Sequence, residues 1–374
     1  MKLLVYVPLL TPRIKYIFNF IFNEILQTQV GFSSNAEEFK TSPLPKISYA
    51  TQPLGKEPFF KNADFLLSHT ITAPTIKTTT FGDMIVPFAV DNSSLPFDVF
   101  AAAFYFVTRY EEYLPYQPDQ DGNFPAASSL QSKLKLLEFP VIDGWALMLK
   151  NMMLKHFPNL FFGKKEFAFV PLICLYENSG TSGWIQQTMK LFSKIPFISK
   201  RVVPAQPRKS GVQLFLIEQN ERYQLHAVNF FKPAEEVDMT CARHISFPRS
   251  YLRLLKNGIS KDYRMGYATT PGFRAGTCTP FFWYDLQLEK TTHLLVHPVA
   301  VNDMALGKDK NINLGYTLDK WGKMIQNVKL LNGSFYILWH KDTLREFGKG
   351  KLGRVLYTQL LANFLSLPDD IRPQ

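Results

Sequence analysis

Paired cysteines, long apolar runs and, over one stretch, acidic side chains are what this sequence lacks. Its three cysteines, Cys174, Cys241 and Cys278, are an odd number without paired spacing. That argues against a disulfide-stapled scaffold or a zinc ribbon and for a reducing compartment. No stretch approaches the roughly twenty uninterrupted apolar residues that a membrane-crossing helix needs. The opening M-K-L-L-V-Y-V-P-L-L-T-P-R is broken by Pro8 and Pro12 and has no small-residue cleavage site. It reads as a buried first strand rather than a secretion signal, and the expected location is the cytoplasm. Between Glu177 and Glu218 there is no acid at all, while Lys190, Lys194, Lys200, Arg201, Arg208 and Lys209 fall there. This basic segment, 190–209, is either a solvated connection or a contact for phosphate-rich headgroups, nucleic acid or acidic glycans. No nucleic-acid-binding motif accompanies it.

What is present is the makeup of a folded globular chain, 46% hydrophobic and 20% charged. At 374 residues it is too long for one ordinary core, which predicts two domains. The loop P-N-L-F-F-G-K-K-E is the best boundary, giving domains 1–163 and 164–374. The abundant aromatics, 33 Phe and 16 Tyr, serve burial or sugar stacking. In the first domain, apolar residues recur at helical spacing from Ile14 through Ile17, Ile21 and Ile25. K-I-S-Y, D-F-L-L-S and G-D-M-I-V-P-F-A-V read as short strands. A buried helix opens near Asp98, a good N-cap, and stops before Pro115. A second helix carries Ile142, Trp145, Leu149, Met152 and His156 along one face.

Beyond the boundary, F-A-F-V-P-L-I-C-L-Y, G-V-Q-L-F-L-I-E, Y-Q-L-H-A-V-N-F, T-H-L-L-V-H-P-V-A-V and G-S-F-Y-I-L-W-H read as strands. Helical patterns lie around 248–258 and 315–331. Strands alternating with helices predict an α/β fold with a mainly parallel sheet, open or closed into a barrel. In such folds chemistry collects at the carboxyl ends of the strands. His340 ends one strand, Asp303 follows another, and Arg274 lies in a loop able to reach them. A histidine beside a carboxylate is a candidate general acid, and equally a plain structural hydrogen bond. An arginine between Gly272 and Gly276 is a candidate carboxylate clamp, and equally half of a buried ion pair. Two stretches imitate motifs. Asp119 to Asn123 begins like a calcium loop, but its twelfth position is Leu130 instead of glutamate. Gly348 to Gly353 has the dinucleotide glycine spacing without a preceding buried strand, and reads as a flexible loop.

The stretches M-G-Y-A-T-T-P-G-F-R-A-G-T-C-T-P-F-F-W-Y-D-L, P-V-A-V-N-D-M-A-L and F-Y-I-L-W-H-K-D-T-L resemble the C-terminal half of Bacteroidetes polysaccharide deacetylase-like proteins. Those are relatives of the NodB-type carbohydrate esterases. V-Y-V-P-L-L-T-P-R-I-K-Y-I-F and L-P-F-D-V-F-A-A-A-F-Y-F-V-T-R-Y-E-E-Y-L-P-Y resemble the domain preceding the catalytic one in the same group. The resemblance implies a distorted β/α barrel of the polysaccharide deacetylase type behind a smaller α/β domain. It implies a metal-dependent hydrolase, usually using zinc, that removes N-acetyl groups from sugars. By similarity Arg274 matches the arginine that orients the catalytic base, His340 the general acid, and Asp303 its tuning carboxylate.

The family's first barrel strand ends in two aspartates, one the base and one a metal ligand. Here Cys174 and Tyr176 fall at those places, with Glu177 the nearest carboxylate. His226 stands where the first metal histidine is expected, followed by Asn229 and Phe230 instead of the rest of the motif. The spacer between these motifs is shorter than the resemblance implies, so one or more barrel elements are open to being absent. The expectation is a degenerate deacetylase, inactive or weakly active and without a cofactor, that binds a glycan or a protein of polysaccharide assembly, with Phe282, Trp283 and Tyr284 lining a groove or filling the core. The competing expectations are an active zinc enzyme rebuilt on Cys174, His226 and Glu177, with Cys241 or His244 recruited, and an interaction protein docking through segment 190–209. Arg274, its ancestral partner gone, is expected to pair with Asp303, Glu177 or solvent.

Overall fold

A computed structural model describes residues 2–175, 211–230, 245–306, 313–348 and 350–365. The first unit opens with β1 (Leu3–Tyr6), buried as its apolar run requires. Thr11 caps the next helix by accepting from the Ile14 amide, and Pro12 supplies a preset first turn. Helix α1 (Pro12–Phe18) then widens into a π-helical stretch, Asn19–Ile25. There follow β2 (Val30–Ser33), α2 (Ala36–Thr41), β3 (Lys46–Ala50) and β4 (Phe59–Lys61). The four strands form one parallel sheet in the order β2-β1-β3-β4. D-F-L-L-S, expected as a strand, is instead a single 3-10 turn, because Asp64 takes a left-handed conformation (φ 60°) that breaks extension. The β5 (Thr78–Phe81) and β6 (Met84–Pro87) hairpin turns at Gly82, also left-handed.

Helix α3 (Val99–Val107) is buried on every side and is the hub of this unit. Its Phe100 ring stacks on Phe18 at 3.9 Å and meets Tyr49 and Phe60 edge-on. Asp98 caps it, accepting from the Phe100 and Ala101 amides at 3.1 and 2.9 Å, and its other oxygen accepts from Tyr49 Oη and the Ala63 amide. One carboxylate thus serves a helix end, a strand and a loop. Asp98→Ala is expected to cost about 2 kcal/mol or more, since an N-cap is worth roughly 1 kcal/mol and two further donors are orphaned. Chemical denaturation of the variant checks this, and Asp98→Asn, which keeps acceptor oxygen, should cost less. Helices α4 (Leu130–Lys133) and α5 (Val141–His156) complete the unit. Ile142, Trp145 and Leu149 are buried as read, whereas His156 is exposed.

The remainder contains β7 (Ala168–Cys174), α6 (Gly211–Tyr223), β8 (Val228–Phe230), α7 (Arg249–Lys256), β9 (Lys261–Met265), β10 (Phe281–Asp285), β11 (Lys290–Asn302), α8 (Leu314–Leu330), β12 (Ser334–His340) and α9 (Gly350–Phe364). Its sheet runs β10-β11-β12-β7-β8, with β9 also on β11, and is parallel except where β10 meets β11. The sheet curls into a half-barrel, so the α/β class expected from the sequence is what the chain adopts. Alternation along the strands sends Phe169, Ile173, Ile337 and Trp339 against the helices, and Leu172, Cys174, Tyr336 and Leu338 to the other face.

Two stretches correct the reading. G-V-Q-L-F-L-I-E is helix α6 and not a strand, because Val212, Phe215, Leu216 and Gln219 bury one face at helical spacing. Most of the glycine-rich 348–353 stretch is the start of α9, drawn into a helix by the buried Leu356, Tyr357, Leu360 and Leu361 downstream. The largest core does not stop at residue 163. Tyr251, Leu254, Phe281, Trp283 and Tyr284 pack into the same cluster as Phe18, Phe100 and Phe104.

Candidate functional site at the carboxyl edge of the half-barrel

Parallel pairing brings the ends of β11, β12 and β7 to one edge. Asn302 pairs with Leu338, and His340 pairs with Cys174. Asp303, one residue past β11, is fully buried and gathers three donors: the His340 amide at 2.6 Å, His340 Nδ1 at 2.5 Å and the Thr343 hydroxyl. His340 keeps 19% of its side chain exposed. With Nδ1–H directed at the carboxylate, the tautomer is fixed and Nε2 is the nitrogen left to meet a ligand. The expected pair of His340 and Asp303 is therefore assembled.

The expected metal pair is not. Cys174 is buried beside His340, but its sulfur is disulfide-bonded, so it offers no thiolate. His226 lies four residues before Phe230, the residue level with Cys174. It precedes β8, which opens only at Val228, so His226 is not part of the sheet row that holds Cys174 and His340. A disulfide sulfur is no zinc ligand, so Cys174 does not fit a zinc ion shared with His226. Among the described residues no three His, Cys, Asp or Glu side chains gather in a metal-holding group. Tyr176, Glu177, Cys241, His244 and segment 190–209 lie outside the described residues.

Arg274 takes neither Asp303 nor solvent. Its Nε and Nη2 grip the two oxygens of Glu112 at 2.8 and 2.5 Å, and Nη1 donates to the Gly266 carbonyl. Glu112 also accepts from Arg109 Nε at 2.8 Å, and all three side chains are buried. Arg109 holds Glu111, Gln131, Tyr267 Oη and the backbone carbonyl of Arg274. Burial alone would raise the Glu112 pKa, yet the guanidinium groups of Arg274 and Arg109 hold it below the usual carboxylate range. The expected acceptor was wrong because the arginine loop is threaded into the first unit. Phe273 N donates to Leu137 O, Ile142 N to Gly276 O, and Gln131 Nε2 to Phe273 O. The signal overlooked in the sequence is the acid doublet of R-Y-E-E-Y, closing a helix that is apolar all round.

The aromatic trio divides. Trp283 and Tyr284 are buried, bonded to Tyr113 Oη and Glu289, and line no groove. Phe282 is 40% exposed. A register shift between Phe282 and Tyr284 explains how two consecutive rings point inward.

Residues 3–158 match the model of a family of unknown function, DUF7033, whose end falls near the loop at residue 163. No curated protein and no solved structure matches the chain. No helix among the described residues is long and apolar enough to cross a membrane.

Proposed function

We propose that this chain is a degenerate polysaccharide deacetylase-like protein that has lost the ancestral hydrolysis and uses the carboxyl edge of its half-barrel to bind a glycan. The observation carrying this reading is the row formed by His340 and Cys174. A general acid held by Asp303 stands beside a disulfide sulfur, where the resemblance asks for a carboxylate base. Arg274, which the resemblance assigns to orienting that base, has its donors on Glu112 and Gly266. Losing a general base alone costs roughly 10² to 10⁴ in rate. Losing a Lewis-acid metal removes several kcal/mol more of transition-state stabilisation. An intact acid does not offset both losses, because without an attacked carbonyl there is no departing amine to protonate.

Binding is a lesser demand. His340 Nε2 and the edge of the sheet are sufficient for hydrogen bonds to sugar hydroxyl or N-acetyl groups. Purified protein is expected to release no acetate above the buffer blank from N-acetylglucosamine oligomers, with or without added zinc. It should bind the same oligomers in calorimetry, with affinity lowered several-fold by His340→Ala. Zinc-dependent acetate release that disappears in His340→Ala would instead establish the rebuilt enzyme.

A further inference from the structure

We propose that a cavity of about 500 Å³ beside the end of β12 binds a small phosphorylated ligand. Lys341, Arg345 and Arg354 line it, against a single lining carboxylate, Glu346. Arg354 lies over the Phe215 ring, its guanidinium carbon 4.1 Å from the centroid. Its Nη1 is buried and makes no hydrogen bond, and Glu346 approaches it only to 3.9 Å, beyond hydrogen-bond reach. A buried guanidinium nitrogen without an acceptor is costly unless a ligand supplies one. Arg345 is paired with Asp342, but that contact is about half exposed on both sides and therefore weak and exchangeable.

The backbone adds to the same field. Gly211 and Val212, the first residues of α6, also line the cavity, and the first turn of that 13-residue helix holds no acid. Its amide end thus contributes positive potential. Residues 164–374 carry 29 Lys and Arg against 17 Asp and Glu, so the surroundings favour an anion as well. Two guanidinium forks, Arg345 from the turn after β12 and Arg354 from α9, suit a tetrahedral group with several acceptor oxygens better than a planar carboxylate. The volume falls in the range of small-molecule sites, roughly 300–1,000 Å³, and leaves room for what the phosphate is attached to. Phe347, 79% exposed at the rim, offers a face for a sugar ring. A soluble sugar phosphate and a phospholipid headgroup share this chemistry.

The full chain should be titrated with inorganic phosphate, with N-acetylglucosamine 1-phosphate, and with phosphatidylcholine vesicles containing phosphatidic acid, all at fixed ionic strength. Phosphate is expected to raise Tm saturably where chloride does not. Arg345→Ala, at an exposed position, should weaken phosphate binding about tenfold with the unliganded Tm unchanged. Arg354→Lys should weaken it similarly, since it keeps the charge and loses the fork. Tighter binding of the sugar phosphate than of phosphate assigns the ligand to a soluble sugar. Vesicle cosedimentation lost in Arg345→Ala assigns it to a lipid. A phosphate shift no larger than that of chloride, affinities unchanged in both variants, or no gain from either organic phosphate overturns the proposal. Neither His340 nor Asp303 lines this cavity, so its failure and that of the glycan reading are read separately.

Discussion

Glu112→Ala is expected to destabilise the protein by about 3–5 kcal/mol, the cost of leaving a buried charge without its partner. The position is worse than an ordinary broken pair, because one carboxylate serves two guanidinium groups, Arg274 in a bidentate grip and Arg109 through Nε. Arg274→Met should cost less, since Glu112 keeps Arg109 and the new side chain fills apolar space. Urea unfolding of the two variants checks the order, and an alanine variant that loses under 1 kcal/mol, or less than Arg274→Met, would remove Glu112 from the centre of the network. A pH dependence follows with definite sign. The Glu112 carboxyl titrates below its ordinary value of 4.5 in the folded chain. Its contribution is therefore complete above that pH and is lost as pH falls through the depressed value. Wild type should lose stability on acidification below about pH 4.5 in part through this group, and Glu112→Gln should lack that part. Because Glu112 belongs to the first unit and Arg274 to the second, both halves should unfold in one transition.

How far the sequence exposes this architecture depends on which forces act locally. Asp98 as a cap, the buried α3 and the pairing of His340 with Asp303 follow from side-chain chemistry within short windows or at strand ends. The helix α6 was hidden because Val-Gln-Leu-Phe-Leu-Ile fits a strand residue by residue, and only the recurrence of Val212, Phe215, Leu216 and Gln219 shows the buried face. The partner of Arg274 was hidden for another reason. An ion pair spanning 162 positions depends on how two chain segments dock, which no local period encodes. The place of His226 is likewise a matter of register, since β8 opens at Val228 and leaves the histidine ahead of the paired residues. Of the two jobs open to the aromatic trio, Trp283 and Tyr284 take the core, although strict alternation would expose one of them; the register shift buries both.

Asp303→Ala is expected to cost about 3 kcal/mol, and His340→Ala about 1 kcal/mol or less. The asymmetry comes from burial and from the number of donors. Asp303 is fully enclosed and accepts from the His340 amide, its ring and Thr343, so its removal strands polar hydrogens in a closed space. Removing the imidazole leaves the carboxylate with the backbone amide and the hydroxyl, and water can enter where the ring met solvent. Asp303→Asn should fall between the two, since its carbonyl oxygen replaces only part of the acceptor set and its NH₂ opposes the amide of His340. Thermal and urea unfolding give the stabilities, and oligosaccharide titration of the same variants gives the other half of the comparison. If the edge is a binding surface, His340→Ala weakens glycan binding far more than it weakens the fold, and Asp303→Ala does both. Equal stability losses at the two positions, with binding untouched by either, would make the pair a brace between β11 and β12 and leave the glycan reading without its carrying residue.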